Sequence, residues 1–155
     1  MTPAILAAER AGVRHRVLSY VHDAGAPAYG PEAAAALGLD PRAVFKTLVI
    51  TLDGGAMAVA LVPVDRQLDL KAAAQALGAK RAAMADVAEA ERATGYVVGG
   101  ISPLGQRKAL ATLVDASATE LEEMYVSAGR RGLELALAPA DLLRLTRATV
   151  ASIAR

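Results

Sequence analysis

The chain has 155 residues, 54% of them hydrophobic, with one phenylalanine and no cysteine; this is one domain's length, with enough Leu, Val, Ile and Ala to bury a core. The missing cysteines exclude disulfides, thiolate metal sites and a cysteine nucleophile, and two histidines, His15 and His22, argue against the usual His-rich zinc site. Seventeen basic against sixteen acidic side chains argue against avid non-specific nucleic-acid binding but leave room for a local contact with phosphates.

Thr2-Pro3 reads as an N-cap with proline at the first helical position, and Gly12 closes that helix. A short strand is expected over 16–20, then a loop with His22, Asp23 and Pro27, and a second helix from Pro31 to Gly38. Asp40-Pro41 opens a single turn. Two apolar runs, 44–52 and 57–64, split by Asp53-Gly54-Gly55, are the strongest hairpin signal in the chain. Asp69 caps a helix that stops at Gly78, and Asp86 with Glu89 has capping-box spacing for another. A strand is expected over 111–114. Ser117 and Glu120 repeat the capping-box spacing before a short helix. Strands near 124–127 and 133–137 flank a turn at 129–132, followed by a helix over 141–147 and a last strand near 149–153.

Strands and helices intersperse without the regular alternation of a doubly wound sheet, so a single α/β domain of the α+β kind spans 1–155, a mixed sheet with helices around it. There is no signal-like N-terminus and no apolar run of membrane-spanning length, which makes the cytoplasm the expected compartment.

Thr94-Gly-Tyr-Val-Val-Gly-Gly-Ile-Ser-Pro-Leu-Gly105 is the most informative stretch, with four glycines and a proline in twelve residues. Such a density contributes no packing and either lets another group approach the main chain or makes a tight turn, with Ser102 held extended by Pro103. Lys46 stands in the apolar run Val44-Phe-Lys-Thr-Leu-Val-Ile50. Strand alternation puts it with Val44, Leu48 and Ile50 on one face, opposite Phe45, Thr47 and Val49. An amine there either serves a site or snorkels to water. A lysine beside a glycine-lined backbone suits a phosphate-bearing ligand or a developing oxyanion. The basic pair Arg107-Lys108 directly follows the glycines, whereas Arg130-Arg131 reads as solvated surface. Tyr20-x-His22-Asp23 groups three polar side chains at a strand end. No nucleophile elbow or Walker-type loop is present.

Several elements in order resemble the YbaK/EbsC family of Cys-tRNA(Pro) deacylases: Tyr20-x-His22-Asp23, Val44-Phe-Lys46-Thr47-Leu, Pro63-Val64 with Gln67-Leu-Asp-Leu-Lys71, Leu77-Gly-Ala-Lys80, the glycine stretch, Tyr125-Val-Ser127 and Arg131-Gly-Leu133. The resemblance spans essentially the whole chain. It implies the fold of the editing domain of bacterial prolyl-tRNA synthetase, with a mostly antiparallel, partly barrel-like sheet. It also implies hydrolysis of cysteine wrongly esterified to tRNA(Pro), the thiol of the substrate itself attacking the ester, without metal or cofactor. The implied partners are the tRNA(Pro) acceptor end and prolyl-tRNA synthetase. On this resemblance Lys46, Gly99 and Gly100 are catalytic, the glycines through their N–H groups. Tyr20 and Ser127 line the aminoacyl pocket, Thr47 orients Lys46, and His22, Ile101 and Ser102 also belong to substrate binding. Glu134 stands where the family tends to carry aspartate, and a pairing of this carboxylate with Lys46 would alter the lysine pKa. The competing readings are a deacylase of Ala- or Ser-tRNA(Pro) using an activated water, and a non-catalytic module that holds the acceptor end or the synthetase.

Overall fold

The computed structural model describes residues 1–23 and 29–155; Pro27, expected in the loop after the first strand, lies outside the described residues. Helix α1 (Pro3–Ala11) begins where the Thr2 hydroxyl accepts the Ile5 N–H at 3.2 Å, and it ends on Gly12 at φ +68°. The same hydroxyl donates to the Ala128 carbonyl, tying the start of the chain to a strand end far along it.

The hairpin expected around Asp53-Gly54-Gly55 forms from β2 (Phe45–Leu52) and β3 (Ala56–Pro63). Its register pairs Lys46 with Val62 and Phe45 with Pro63, so the residues just after β3 lie beside the start of β2. Strands β4 (Ala82–Met84), β5 (Ala111–Asp115) and β8 (Thr149–Ala151) extend this pair into a five-stranded mixed sheet in the order β4-β2-β3-β5-β8. β3 pairs with β5 and β5 with β8 in parallel; the other pairs are antiparallel. A second, antiparallel sheet runs β1-β7-β6, from β1 (His15–Ser19), β7 (Leu133–Leu137) and β6 (Met124–Ser127). A parallel bridge between Val44 and Tyr125, with the Tyr125 N–H donating to the Ala43 carbonyl at 2.9 Å, joins the two sheets side by side. The result is the single α/β domain with mostly antiparallel strand pairing that was expected, built as two sheets rather than one.

β3 is the hub. Its Val59 and Leu61 share one core with Phe45, Met124, Val126, Leu135, Leu137, α1 and the helix α5 (Pro139–Thr146). Its Ala58, Ala60 and Val62 face a second core with Ile50, Leu113, Ile153 and Ala73 of α3 (Leu70–Ala76). A strand buried on both faces reads as a continuous apolar run, which is how 57–64 reads. Helices α2 (Tyr29–Leu37) and α4 (Val87–Thr94) complete the set, and Asp69 and Asp86 cap α3 and α4 as expected.

Four details differ from expectation. β4 was not foreseen. The segment after β5 is a 3-10 turn (Ala116–Glu120) capped by Asp115, not a helix capped by Ser117, because the buried Asp115 carboxylate gathers the Ser117, Ile153 and Ala154 N–H groups at once. α2 and α5 start two residues earlier than Pro31 and Asp141 suggested. β8 stops at Ala151, where Ile153 turns into the core.

Candidate active site

A pocket of about 680 Å³ opens where the start of β2, the turn after β3, the glycine stretch and the ends of β6 and β7 meet. That volume is ordinary for a small-ligand site. Lys46 and Thr47 reach it from β2, Gly99 and Ile101 from the glycine stretch, and Tyr20, Ser127 and Glu134 from the three-stranded sheet. Strand register explains the last trio. Glu134 stands opposite both Leu18 of β1 and Ser127 of β6. Tyr20, one residue past β1, donates its N–H to the Gly132 carbonyl at 3.0 Å.

The glycine stretch is a closed loop. Its ends are tied by the Arg107 N–H to the Thr94 carbonyl at 2.9 Å and the Lys108 N–H to the Ala93 carbonyl at 3.0 Å. The buried Tyr96 phenol donates across it to the Leu104 carbonyl, and the Val98 N–H donates to the Glu91 carboxylate at 2.8 Å. Gly99 sits at φ +97° and lines the pocket, and its N–H meets no acceptor among the described residues.

Three expected site residues do other work. The Gly100 N–H is engaged inside the loop with the Val97 carbonyl at 2.9 Å. Gly100 is needed for close approach instead: a Cβ there would stand 2.6 Å from Arg130 Cα. Ser102 is wholly buried; its hydroxyl takes the Leu104 N–H and its carbonyl the Gln106 amide. His22 lies outside the pocket lining, its Nδ1 3.0 Å from Glu32 Oε1, beside an Arg131 Nε 3.4 Å from the same oxygen.

Burial depresses the Lys46 pKa, and the nearby Asp65 carboxylate opposes that shift. Asp65 rather than Glu134 is therefore the charge that Lys46 feels, and among the described residues Lys46 forms no ion pair with Glu134. Glu134 is 6% exposed, its Oε2 has no hydrogen-bond partner among the described residues, and burial pushes its carboxyl up to about 8. Thr47 Oγ1 is likewise buried without a partner. Burial also raises the Tyr20 phenol; Gly132 and Arg131 oppose this, while the Glu134 and Glu32 carboxylates add to it, so Tyr20 stays a donor.

The Glu134 shift has a sign. A folded-state pKa above the unfolded one gives stability that is complete below the unfolded value and lost as pH rises through about 8. Between about pH 6 and pH 9 the protein should lose roughly 2–3 kcal/mol from this group, or about 4–12 °C in Tm. Thermal melts at the two pH values check it: Glu134→Gln should lose clearly less than the native chain, and equal losses would remove the effect.

Sequence reasoning passed over several lining residues. Arg130, taken as surface, reaches the pocket, whereas Arg107, expected to matter, packs over Gly95. Asp65 and Arg66 line it too; the hairpin register, readable from the Asp-Gly-Gly turn, was the signal that would have put them beside Lys46. Met84, Val87 and Val98 line the pocket as well while 52%, 56% and 39% exposed. No group of three or more metal-ligating side chains gathers among the described residues, and no helix of theirs is long and apolar enough to cross a membrane.

A model of the aminoacyl-tRNA editing domain matches residues 26–145. EbsC of Enterococcus faecalis, a proposed Cys-tRNA(Pro)/Cys-tRNA(Cys) deacylase, is 38% identical over 120 residues, which is 77% of this chain and 73% of EbsC. The multifunctional Ser/Thr-tRNA deacylase ProXp-y of Escherichia coli K12 is 30% identical over 114 residues, 71% of this chain and 68% of that one. Among solved structures, a proposed trans-editing enzyme for prolyl-tRNA synthetase superposes with a TM-score of 0.83 at 26% identity, covering 99% of this chain and 95% of the other.

Proposed function

The chain belongs to the aminoacyl-tRNA editing domain family and is a trans-editing aminoacyl-tRNA deacylase acting on mischarged aminoacyl-tRNA; from that premise we propose that it clears cysteine from tRNA(Pro) in the cytoplasm, using the thiol of the substrate as nucleophile. The observation that carries the reading is what the pocket does not offer. Its aliphatic hydroxyls, Ser127 and Thr47, have no histidine beside them: His22 is held by Glu32, and His15 bonds the Val13 carbonyl. The chain holds no cysteine. A hydroxyl without an adjacent base is a weak nucleophile, whereas a thiol is a few per cent thiolate near neutrality and intrinsically reactive.

In the proposed step the sulfur bonds to the ester carbonyl carbon and the bond to the ribose oxygen breaks. The thiol proton leaves on the ribose hydroxyl, and water later opens the thiolactone to free cysteine. The Gly99 N–H and the Lys46 ammonium stabilise the oxyanion of the tetrahedral centre. Editing at a second site is physically necessary because cysteine and proline are close in size, and a synthetic pocket discriminates such pairs by only about 1–3 kcal/mol.

The second reading is hydrolysis of Ser-, Thr- or Ala-tRNA by a bound water. The ProXp-y likeness and the unpartnered Thr47 hydroxyl, which a substrate hydroxyl could meet, favour a hydroxylated side chain. Release of labelled amino acid from cysteinyl-, seryl-, threonyl- and alanyl-tRNA(Pro) decides between them. Cysteine alone should be released fast; comparable loss of serine or threonine would replace the thiol step with a water.

Arg130 and Arg66 at the mouth suit the phosphates of the acceptor end. With near-neutral net charge the protein alone grips tRNA weakly, and prolyl-tRNA synthetase is the proposed source of tRNA(Pro) selection. Arg130→Ala should raise KM several-fold at low salt, more than it lowers kcat, and flatten the plot of log(kcat/KM) against log[salt] by about 0.7. An unchanged salt slope would take Arg130 off the phosphate path. Strong discrimination among cysteine-charged tRNAs with no synthetase present would contradict the partner assignment.

A further inference from the structure

A carboxyl that is 6% exposed, leaves one oxygen without a partner and lines the wall of a ligand pocket is an incomplete arrangement. Leaving a buried acceptor unmade is costly, and the usual remedy is a partner that arrives with the ligand. We propose that Glu134 is the seat of the α-amino group of the aminoacyl ester, and so a determinant of which acyl esters this deacylase accepts.

Three observations support the assignment. The first is the sign of the missing partner. Every aminoacyl-tRNA carries one α-ammonium, and a carboxylate in a pocket short of water is the group that such a cation recognises. The protein's own cations do not fill this role: among the described residues Glu134 forms no ion pair, and Arg131 lies within ion-pair distance of Glu32 instead. The second is position. Cross-strand pairing holds Glu134 beside Ser127, and Tyr20 is near enough for the carboxylate to act on its phenol. Gly99 and Lys46, the groups proposed for the ester oxygen, stand in the same pocket. An ester seated between them presents its carbonyl to one set and its amine to the other. The third is rigidity. Glu134 sits in the middle strand of its sheet, bonded on both sides by β1 and β6, so its position is set by backbone rather than by a mobile loop.

A pH signature follows from proton counting. Free Glu134 is protonated up to about pH 8, and a free α-ammonium loses its proton near about pH 8. The pair holds one proton between its two groups. Binding therefore releases a proton on the acid side and takes one up on the alkaline side, and KM passes through a minimum between. Tyr20, His22, Glu32, Lys46, Asp65, Arg66, Arg130 and Arg131 are the other ionisable groups that line the pocket or pack around it. Burial raises the Tyr20 phenol, and Glu32, against burial, is held low by the Asp23 N–H and His22, so on the acid limb the tyrosine keeps its proton and Glu32 its charge.

The inference rests on the pocket being the deacylase site but not on which side chain is cleared, so its test survives a change of amino acid. The experiment is a cycle of two enzymes and two substrates: native protein and Glu134→Gln against cysteinyl-tRNA(Pro) and its desamino analogue, the 3-mercaptopropionyl ester, which adds no bulk. The native protein should favour the aminated ester by about 100-fold in kcat/KM after correction for intrinsic lability, whereas Glu134→Gln should separate the two by less than about fivefold. Glu134→Asp should keep a clear preference for the amine even at a lower rate, and the KM minimum should vanish in Glu134→Gln. The same preference in native protein and Glu134→Gln would overturn the assignment. Should cysteine not be the amino acid cleared, the cycle is repeated with the one that is, against its own desamino ester.

Discussion

Gly100→Ala should lower stability by about 2–4 kcal/mol and kcat/KM by more than about 100-fold. Its Cβ would stand 2.6 Å from Arg130 Cα and 2.9 Å from both the Arg130 carbonyl carbon and the Arg131 nitrogen. All three are backbone atoms, so no side-chain rotation relieves the overlap. The β6–β7 turn and the glycine loop must move apart, and each carries pocket residues: Gly99 and Ile101 on one side, Ser127, Arg130 and Glu134 on the other. A displacement near 1 Å costs about 100-fold in a site that works by placement. Gly55→Ala is the control, since a Cβ there meets nothing within 4 Å and the backbone needs no positive φ. Thermal melting and deacylation rates should separate the two, by about 4–15 °C in Tm for Gly100→Ala and almost nothing for the control. A Gly100→Ala protein that melts and turns over like the native one would mean that the loop and the turn part without cost to the site.

The same glycine shows where legibility in the sequence ended. Its density in the stretch marked a close backbone approach, but the group approached, Arg130, is thirty residues away, and local spacing carries no trace of it. Local signals succeeded where the physics is local. Asp-Gly-Gly produced the hairpin, and the caps at Thr2, Asp69 and Asp86 started their helices as read. They missed β4, because Ala82-Ala83-Met84 has no β-branched residue and becomes a strand only against the free edge of β2, where Thr51 pairs with Ala83. Ser117 has helix-cap spacing and lost to Asp115, whose carboxylate also reaches Ile153 and Ala154. Among site residues, Lys46 stood out as an amine in an apolar run, but periodicity left a site and a snorkelling side chain both open, and the family resemblance made the choice. Tyr20, Ser127 and Glu134 came only through family resemblance, and the β1-β7-β6 register supplies the reason they meet. Arg130 and Arg131 look alike in sequence and part in space, one lining the pocket and the other beside Glu32.

Lys46→Ala should lower kcat/KM by about 100- to 1,000-fold, the range for loss of one oxyanion donor, with no comparable loss of stability. Its ammonium is held in a partly dry place where charge counts for more than in water, and the Asp65 carboxylate opposes the pull of burial on its proton. That makes Asp65 a positioning and charge-holding residue. Asp65→Asn should let burial act unopposed, lower the lysine pKa further and bring the alkaline loss of activity to lower pH, while sparing more of the rate on the acid side. If the aspartate works through the lysine, the double variant Lys46→Ala/Asp65→Asn should be no worse than Lys46→Ala alone, since there is no longer a proton to hold. Single-turnover rates across the pH range, corrected for spontaneous ester hydrolysis, give both comparisons. Additive losses would mean that Asp65 acts on the substrate directly. An active Lys46→Ala would leave the Gly99 N–H as the remaining donor proposed for the oxyanion.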